Sequence, residues 1–172
     1  MAIIFSDTVA IQQAIGEYMI RSDIDVVVGP GSYTLNILEI NGGVRIIEQQ
    51  AEIVKANLIT NLTGVYADVY DGTTTVNVTT GGIVLSGAPV GSRFFKGEDT
   101  TQAFTLMLAD QVRIYEPSGP KVGDPYVVNP KNGVQNYGRV HFATTSGIDI
   151  CWRVKFVFEP LDGGLVRFAP PP

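Results

Sequence analysis

The sequence has little of the chemistry on which disulfide frameworks and metal sites depend. Its 172 residues include one cysteine, Cys151, and one histidine, His141. A disulfide within the chain and a Cys/His zinc site are therefore excluded. A chain of this length buries roughly two-thirds of its unfolded surface on folding, so it needs neither to form a core. We predict that the protein has no metal and no cofactor.

Charged residues are also scarce, at 17% of the chain against about 25% in a typical soluble domain, and the mean hydropathy is positive. The formal net charge of −5 opposes phosphate backbones and anionic membrane surfaces, which disfavours direct nucleic-acid binding. The scarcity has two explanations. Either this is a β-rich domain with a Thr, Ser, Asn and Gly surface, or other copies or other proteins cover part of its surface, since interface cores lose charged residues first.

Targeting signals and membrane segments are missing as well. Residues 1–5 lack the basic stretch and long apolar run of a signal peptide, and no later segment reaches the ~20 apolar residues that cross a bilayer. We expect the chain to be made and folded in a cytoplasm, with no membrane partner.

Helical spacing occurs in the first third of the chain. Apolar residues recur at steps of three and four over residues 6–21, with Ser6 or Asp7 as the cap. The best helical pattern covers residues 47–62, where one face is apolar and Gly64 follows the end. Alternating or β-branched runs at 24–28 and 33–40 predict strands between these helices. We therefore predict an N-terminal arm with two helices, residues 1–63.

From Gly64 onward the helical period disappears, and turn signals recur every eight to twelve positions. This pattern is typical of a β-sandwich or barrel. Asp71-Gly72 predicts an antiparallel hairpin between residues 65–70 and 73–79. The most regular alternation, which places Trp152 in the core, covers residues 150–159. Further predicted strands cover residues 83–85, 92–95, 103–108, 111–116, 126–128, 138–143 and 165–168.

The predicted fold is therefore mainly β, or α+β overall. An antiparallel β-sandwich or barrel at residues 64–169 follows the helical arm, and residues 170–172, all proline, form an extended tail.

Candidate catalytic groups are few, and each has a simpler structural interpretation. His141 is a possible general base near Asp149 or Cys151, but a partly exposed strand histidine is the simpler interpretation. Cys151 alternates with the apolar set and is interpreted as filling space. Glu98 and Asp99 offer two carboxylates, fewer than a hard-cation loop needs, and are interpreted as capping a turn.

Two aspartates, a glycine-rich segment and the aromatic residues also have a structural interpretation. Asp68 and Asp71 suit a hairpin, and Asp162-Gly163-Gly164 suits a turn, because no helix follows it as in a phosphate loop. The aromatic residues of the β part are mostly expected in the core, although a few on one exposed face would suit sugar stacking. We predict a non-enzymatic protein with no catalytic, cofactor-binding or metal-binding residues.

The segments Leu85–Ser92, Ala109–Glu116 and Phe158–Gly164 resemble small virion structural proteins of tailed bacteriophages, of the neck, tail or capsid-surface type. The chain is also similar to them in its short length, low charge, helical arm and Thr/Gly-rich β domain. The resemblance implies a self-assembling subunit of a virion, whose partners are copies of itself and other virion structural proteins. It implies no functional residue. The alternative function is a glycan- or receptor-binding β-sandwich module.

Overall fold

The computed structural model describes residues 2–5, 12–14, 16–56, 62–96, 104–109, 126–129, 135–161 and 163–170. All regular secondary structure within these ranges is β, in thirteen strands. In chain order the strands are β1 (Ala2–Phe5), β2 (Gln12–Ala14), β3 (Glu17–Val28), β4 (Gly31–Asn41), β5 (Val44–Ala56), β6 (Leu62–Tyr70), β7 (Thr75–Asn77), β8 (Arg93–Phe95), β9 (Thr105–Met107), β10 (Tyr126–Val128), β11 (Asn136–Thr144), β12 (Ile148–Pro160) and β13 (Leu165–Phe168).

These strands form two antiparallel sheets. The larger sheet has eight strands in the order β1-β3-β12-β5-β8-β9, with β2 also pairing with β3 and β10 with β5. The smaller sheet has five strands in the order β13-β4-β11-β6-β7. The mainly β, antiparallel prediction is confirmed, and the two sheets fit the predicted sandwich. Since no helix occurs in the described ranges, none there has the length and apolarity to cross a membrane.

The core contains the inward-facing residues of both sheets. In β12 these are the residues expected from the alternation, all at most 6% exposed: Ile150, Trp152, Val154, Phe156 and Phe158. The Trp152 ring meets Phe94 of the larger sheet and Phe142 of the smaller sheet edge to face, with centroid distances of 5.9 and 5.6 Å. The predicted core position of Trp152 is confirmed, and its ring links the two sheets.

The predicted helix over residues 47–62 is wrong for the part that the structure describes. Residues 44–56 form β5, which pairs with β12 along its length. The register shifts twice, so that Ile47 and Val54 are extra residues on β5 at two bulges. At a bulge, successive residues that face the same side of the strand lie three positions apart in sequence instead of two. The helical spacing of Ile47, Ala51 and Val54 therefore joins the two bulge residues to Ala51, whereas the residues buried in the core are Ile46, Ala51 and Ile53.

The predicted helix over residues 6–21 is also wrong where the structure describes it. Gln12–Ala14 and the start of β3 form a hairpin, with Ala14 opposite Glu17 and Gly16 at a φ of 77°. The pairing of β3 with β12 extends from Ile148 to Phe158. This long-range pairing overrides the local helical spacing. Residues 6–11 and 15 lie outside the described ranges.

The hairpin predicted at Asp71-Gly72 is confirmed as an antiparallel pair of β6 and β7. Its turn is shifted from the predicted Asp71-Gly72 positions, because Asp71 N donates to Thr74 O at 3.2 Å and β7 begins at Thr75. The Asp71 Oδ1 atom accepts hydrogen bonds from the backbone N–H groups of Thr73 and Thr74, at 2.9 and 2.5 Å. This carboxylate closes the turn from inside, as Asx turns do.

The other strand predictions are confirmed with shifted ends at 24–28, 33–40, 92–95, 103–108, 138–143 and 150–159, and with the predicted ends at 126–128 and 165–168. Residues 83–85 form only a bridge, from Ile83 to Val65. The predicted strand 111–116 lies outside the described ranges. Strands β3, β4 and β5, from the segment predicted as an arm, pair with β11 or β12. The boundary at residue 63 therefore does not separate the two sheets.

Candidate functional site

The outer face of the smaller sheet carries a group of polar and aromatic side chains, here called the Asp68 cluster: Thr34, Tyr66, Asp68, Tyr70, Arg139 and His141. They come from the adjacent strands β4, β11 and β6, in which Thr34 and Tyr66 are both register partners of His141. The intervening residues Leu35, Val140 and Ala67 are buried in the core. Alternation along each strand therefore directs the cluster away from the core.

Asp68 is the centre of the cluster and is 2% exposed. Its carboxylate accepts two hydrogen bonds from Arg139, from Nε at 2.7 Å and from Nη2 at 2.8 Å. The Arg139 guanidinium also donates to Thr75 Oγ1 at 3.1 Å and lies over the Tyr70 ring, 4.1 Å from its centroid. The hydrogen bond to Asp68 raises the pKa of Arg139. This is a bidentate, charge-assisted pair, the strong form of such contacts.

His141 continues the network toward β4. Its Nε2 atom lies 2.7 Å from Asp68 Oδ2, and its Nδ1 atom lies 2.9 Å from Thr34 Oγ1. In the neutral tautomer with the proton on Nε2, His141 donates to Asp68 and the Thr34 hydroxyl donates to Nδ1. The imidazole also stacks on Tyr66, with the centroids 4.3 Å apart and the planes at 5°.

The cluster combines a hydroxyl, an imidazole and a carboxylate, the groups of a hydrolytic triad, but in a different arrangement. In such triads Nε2 faces the nucleophilic hydroxyl and Nδ1 donates to the carboxylate, whereas here the two nitrogens are exchanged. Arg139 also pairs with the carboxylate that would stabilise an imidazolium. The network orients the Tyr66 and Tyr70 rings and holds them against the sheet.

The structure separates the other candidate residues from His141. Asp149 and Cys151 lie on β12, in the larger sheet, and Asp149 pairs with Lys55 at 2.6 Å. The hypothesis of a general base beside Asp149 or Cys151 is therefore wrong. Burial, followed by the nearby Asp25, raises the pKa of the Cys151 thiol to about 12, which disfavours the thiolate at neutral pH. Glu98, Asp99 and Asp162 lie outside the described ranges.

The outer face of the larger sheet is covered with ion pairs between neighbouring strands. Arg153 of β12 binds Asp23 of β3 through two hydrogen bonds, at 2.8 and 2.9 Å, which hold the pKa of Asp23 below its ordinary value. Among the described residues of this sheet, further cross-strand pairs are Lys155–Glu48, Arg93–Glu52, Lys55–Asp149 and Arg45–Glu159. These pairs neutralise charge between neighbouring strands of the sheet.

A second surface feature is a cleft where strands β7 and β10, one from each sheet, face each other. The cleft has a volume of about 460 Å³. Val76 and Val127 lie at its mouth and are 63% and 60% exposed. Its walls are mostly apolar, with a few amide groups, and are formed by Val69, Asp71, Thr74, Val76, Asn77, Val78, Tyr126, Val127, Val128, Asn129 and Asn136.

Neither surface was predicted from the sequence. Tyr66, Asp68 and Tyr70 lie on one side of β6, as alternation along a strand requires, but Asp68 and His141 are 73 residues apart in sequence. The cleft depends on the relative position of β7 and β10 at the edges of the two sheets, which local sequence patterns do not predict. Among the residues described here, no group of three or more His, Cys, Asp or Glu side chains is placed to hold a metal ion.

No protein family model, no curated protein and no solved structure matches the chain.

Proposed function

We propose that the protein is a non-enzymatic structural subunit of a tailed-phage virion that works by associating with copies of itself and with other virion proteins. The observation that supports this proposal is the position of exposed aliphatic side chains. Val76, Val127 and Leu165, each more than half exposed, lie on β7, β10 and β13. Each of these strands pairs with one neighbour in the described part of the chain.

A strand with one unpaired edge presents free N–H and C=O groups to another chain. Soluble proteins usually protect such an edge with lysine or another charge. Neither β7 nor β10 contains a charged residue, although nearby strands of the larger sheet carry many. Covering these edges with a neighbour buries aliphatic surface at roughly 25 cal/mol per Å², reduced by the entropy cost of association.

The virion setting is supported by the resemblance of residues 85–92, 109–116 and 158–164 to small phage structural proteins, together with the low charge content of the chain. In a repeated assembly each copy has much of its surface covered by neighbours. Permanent interfaces of this kind can exceed about 2,000 Å² and are more apolar than transient ones.

A glycan- or receptor-binding module is the second candidate function, and the Asp68 cluster favours it. Tyr66, Tyr70 and Tyr137 share adjacent strands of the smaller sheet, with Tyr137 directly opposite Tyr70. His141 and Arg139 hold two of these rings in fixed orientations. Rigid aromatic rings on one sheet face form a platform that can stack on the apolar faces of sugars.

Light scattering coupled to size-exclusion chromatography tests the main proposal. Over a concentration series we expect discrete species larger than the 18.5 kDa chain, and electron microscopy of the largest species should show rings or tubes. A particle of 18.5 kDa at every concentration would contradict self-assembly.

A glycan array tests the second candidate. Specific binding by a monomer, lost in Tyr66→Ala and retained in Tyr18→Ala, would favour the glycan-binding function. Tyr18 is a suitable control because it stacks on Phe158 in the larger sheet, away from the cluster.

A further inference from the structure

We propose that β7 pairs with β7 of a second copy around a two-fold axis at Val76, which joins the two smaller sheets into one continuous sheet. This inference rests on the proposed function, because it names the surface through which one copy binds another. The hydrogen bonds of the β6–β7 hairpin, the position of Val76 and the open cleft beside it support this pairing.

The hairpin shows which backbone groups of β7 are free. Asp71 N donates to Thr74 O at 3.2 Å, and Val78 N donates to Ala67 O at 3.0 Å. In an antiparallel pair, hydrogen-bonded and non-hydrogen-bonded residues alternate. Val76, opposite Val69, therefore bonds toward β6. The backbone N–H and C=O groups of Thr75 and Asn77 point to the open edge, where they have no partner among the described residues.

These free groups are arranged symmetrically about Val76. When a second β7 runs antiparallel to the first and places Val76 opposite Val76, each Thr75 faces Asn77 of the other copy. Each such pair can exchange two backbone hydrogen bonds, because both residues direct their groups outward. The two Val76 residues then form a non-hydrogen-bonded pair with Cα atoms about 4.5 Å apart. The edge is thus its own complement, as a two-fold interface requires.

The cleft explains why such pairing would be stabilising. Val76 faces the inner side of the sheet, beside Val69, yet it is 63% exposed because nothing described covers it on the cleft side. A second β7 beside the first would cover this side chain and narrow the mouth near Val127. A small apolar ligand in the cleft would instead leave the edge groups of Thr75 and Asn77 without a protein partner.

The opposite edge of the same sheet is less suited to this role. β13 carries the charged Arg167, which binds Glu39 of β4, and Pro170 follows the strand closely. A charge and a proline are two of the usual devices that protect an edge strand from pairing. In contrast, β7 carries neither.

A cysteine at the axis tests the pairing directly. Cα atoms about 4.5 Å apart lie within the range that a disulfide spans. We expect Val76→Cys to give a disulfide dimer of twice the 18.5 kDa chain mass on mild oxidation, reversed by dithiothreitol. Val84→Cys is the matched control, because Val84 is 54% exposed but lies outside β7. We expect at least ten times less dimer from it.

A lysine at the same position tests the interface without cross-linking. Val76→Lys places two positive charges opposite each other, so sedimentation equilibrium should show at least a tenfold weaker dimer than in the wild type or in Val84→Lys. Suppose that the wild type is oligomeric, that Val76→Lys forms an oligomer of the same mass and that Val76→Cys does not cross-link. The β7 pairing is then wrong, whereas the proposal of self-assembly is retained. If the wild type is a monomer throughout and Val76→Cys gives no dimer, both proposals fail.

Discussion

Asp68 is a carboxylate held almost completely away from solvent, and its hydrogen bonds to Arg139 and His141 compensate for its burial. Removing one partner of a buried ion pair is strongly destabilising, because the remaining charge is left without compensation. Exposed pairs on a sheet surface contribute little by comparison. The two kinds of pair in this protein should therefore respond very differently to loss of the cation.

We expect Arg139→Met, which keeps a long side chain but removes the charge, to lower the free energy of unfolding by about 3 kcal/mol or more. Arg45→Met is the control, because the Arg45–Glu159 pair is about half exposed on both sides. It should cost less than about 1 kcal/mol. Urea denaturation of both variants measures these costs, and equal losses would show that Asp68 is not a buried charge that depends on Arg139.

The Asp23–Arg153 pair predicts a defined dependence on pH. The hydrogen bond from Arg153 lowers the pKa of Asp23 in the folded state below its ordinary value of 3.8. The pair therefore contributes stability above that value, and the contribution is lost as the pH falls through the lower, folded-state pKa. Because Asp23 is partly exposed, we expect less than about 1 kcal/mol from it.

Urea denaturation of the wild type and Asp23→Asn at about pH 6 and about pH 2.5 checks this dependence. The stability difference between the two proteins should be present at the higher pH and smaller at the lower one. A difference that grows on acidification would contradict the assigned role of Arg153. Asp149→Asn is the comparison variant, because it removes a different carboxylate of the same sheet, one that pairs with Lys55 and not with Arg153.

At the scale of single residues, the sequence predicts which side of a strand a residue faces, but not which residues meet. Alternation correctly placed Trp152 in the core. The partners of Asp68 follow from the register of β11 against β6, which shifts between His141 and Ala143. Such a shift depends on tertiary packing, so sequence spacing alone does not predict it.

Among the elements, β12 and β13 were predicted well and β5 was not. β12 and β13 lie close to their predicted ranges because their inward residues recur at every second position. In β5 the bulges at Ile47 and Val54 change that period. A pattern of three and four then favours a helix when judged locally, and only the pairing with β12 resolves the choice.

Two glycine-rich connections meet at one end of the sandwich. The turn between β4 and β5 contains Gly42 and Gly43, and the connection between β12 and β13 contains Gly163 and Gly164. A Cβ atom on Gly164 would lie 1.9 Å from Gly43 O and 2.7 Å from a Val44 side-chain carbon. Both connections pass from one sheet to the other, so their close approach holds the two sheets together at this corner.

We expect Gly164→Ala to lower the free energy of unfolding by at least about 2 kcal/mol, since the added methyl group meets backbone atoms that cannot simply rotate away. Gly29→Ala is the control, because nothing lies within 4 Å of its added Cβ atom. That change should be neutral or slightly stabilising, through the lower entropy of the unfolded chain. Thermal or urea unfolding measures both, and a neutral Gly164→Ala would contradict the close approach.

For the whole molecule, β12 is the strand on which the larger sheet depends. It pairs with β3 on one side and β5 on the other, and its Trp152 ring contacts Phe142 of the smaller sheet. The partners of β12 are about a hundred residues away in sequence. Folds dominated by such distant pairings generally refold in milliseconds to seconds, and not in microseconds.

Two valine-to-alanine changes test whether β12 forms early in folding. Val154 lies in β12 and Val166 in the edge strand β13, and both are buried, at 6% and 2% exposed. We expect Val154→Ala mainly to slow refolding and Val166→Ala mainly to speed unfolding, as mutations inside and outside a folding nucleus do. Stopped-flow urea jumps separate the two rates, and the reverse partition would show that the nucleus lies elsewhere.

The order of the strands along the chain also has a consequence for biosynthesis. A ribosome makes β3 and β5 long before β12, the strand that lies between them in the finished sheet. Until residues 148–160 leave the ribosome, the edges of β3 and β5 that pair with β12 have no partner strand. The nascent protein therefore passes through a stage in which aggregation or chaperone capture competes with completion of the sheet.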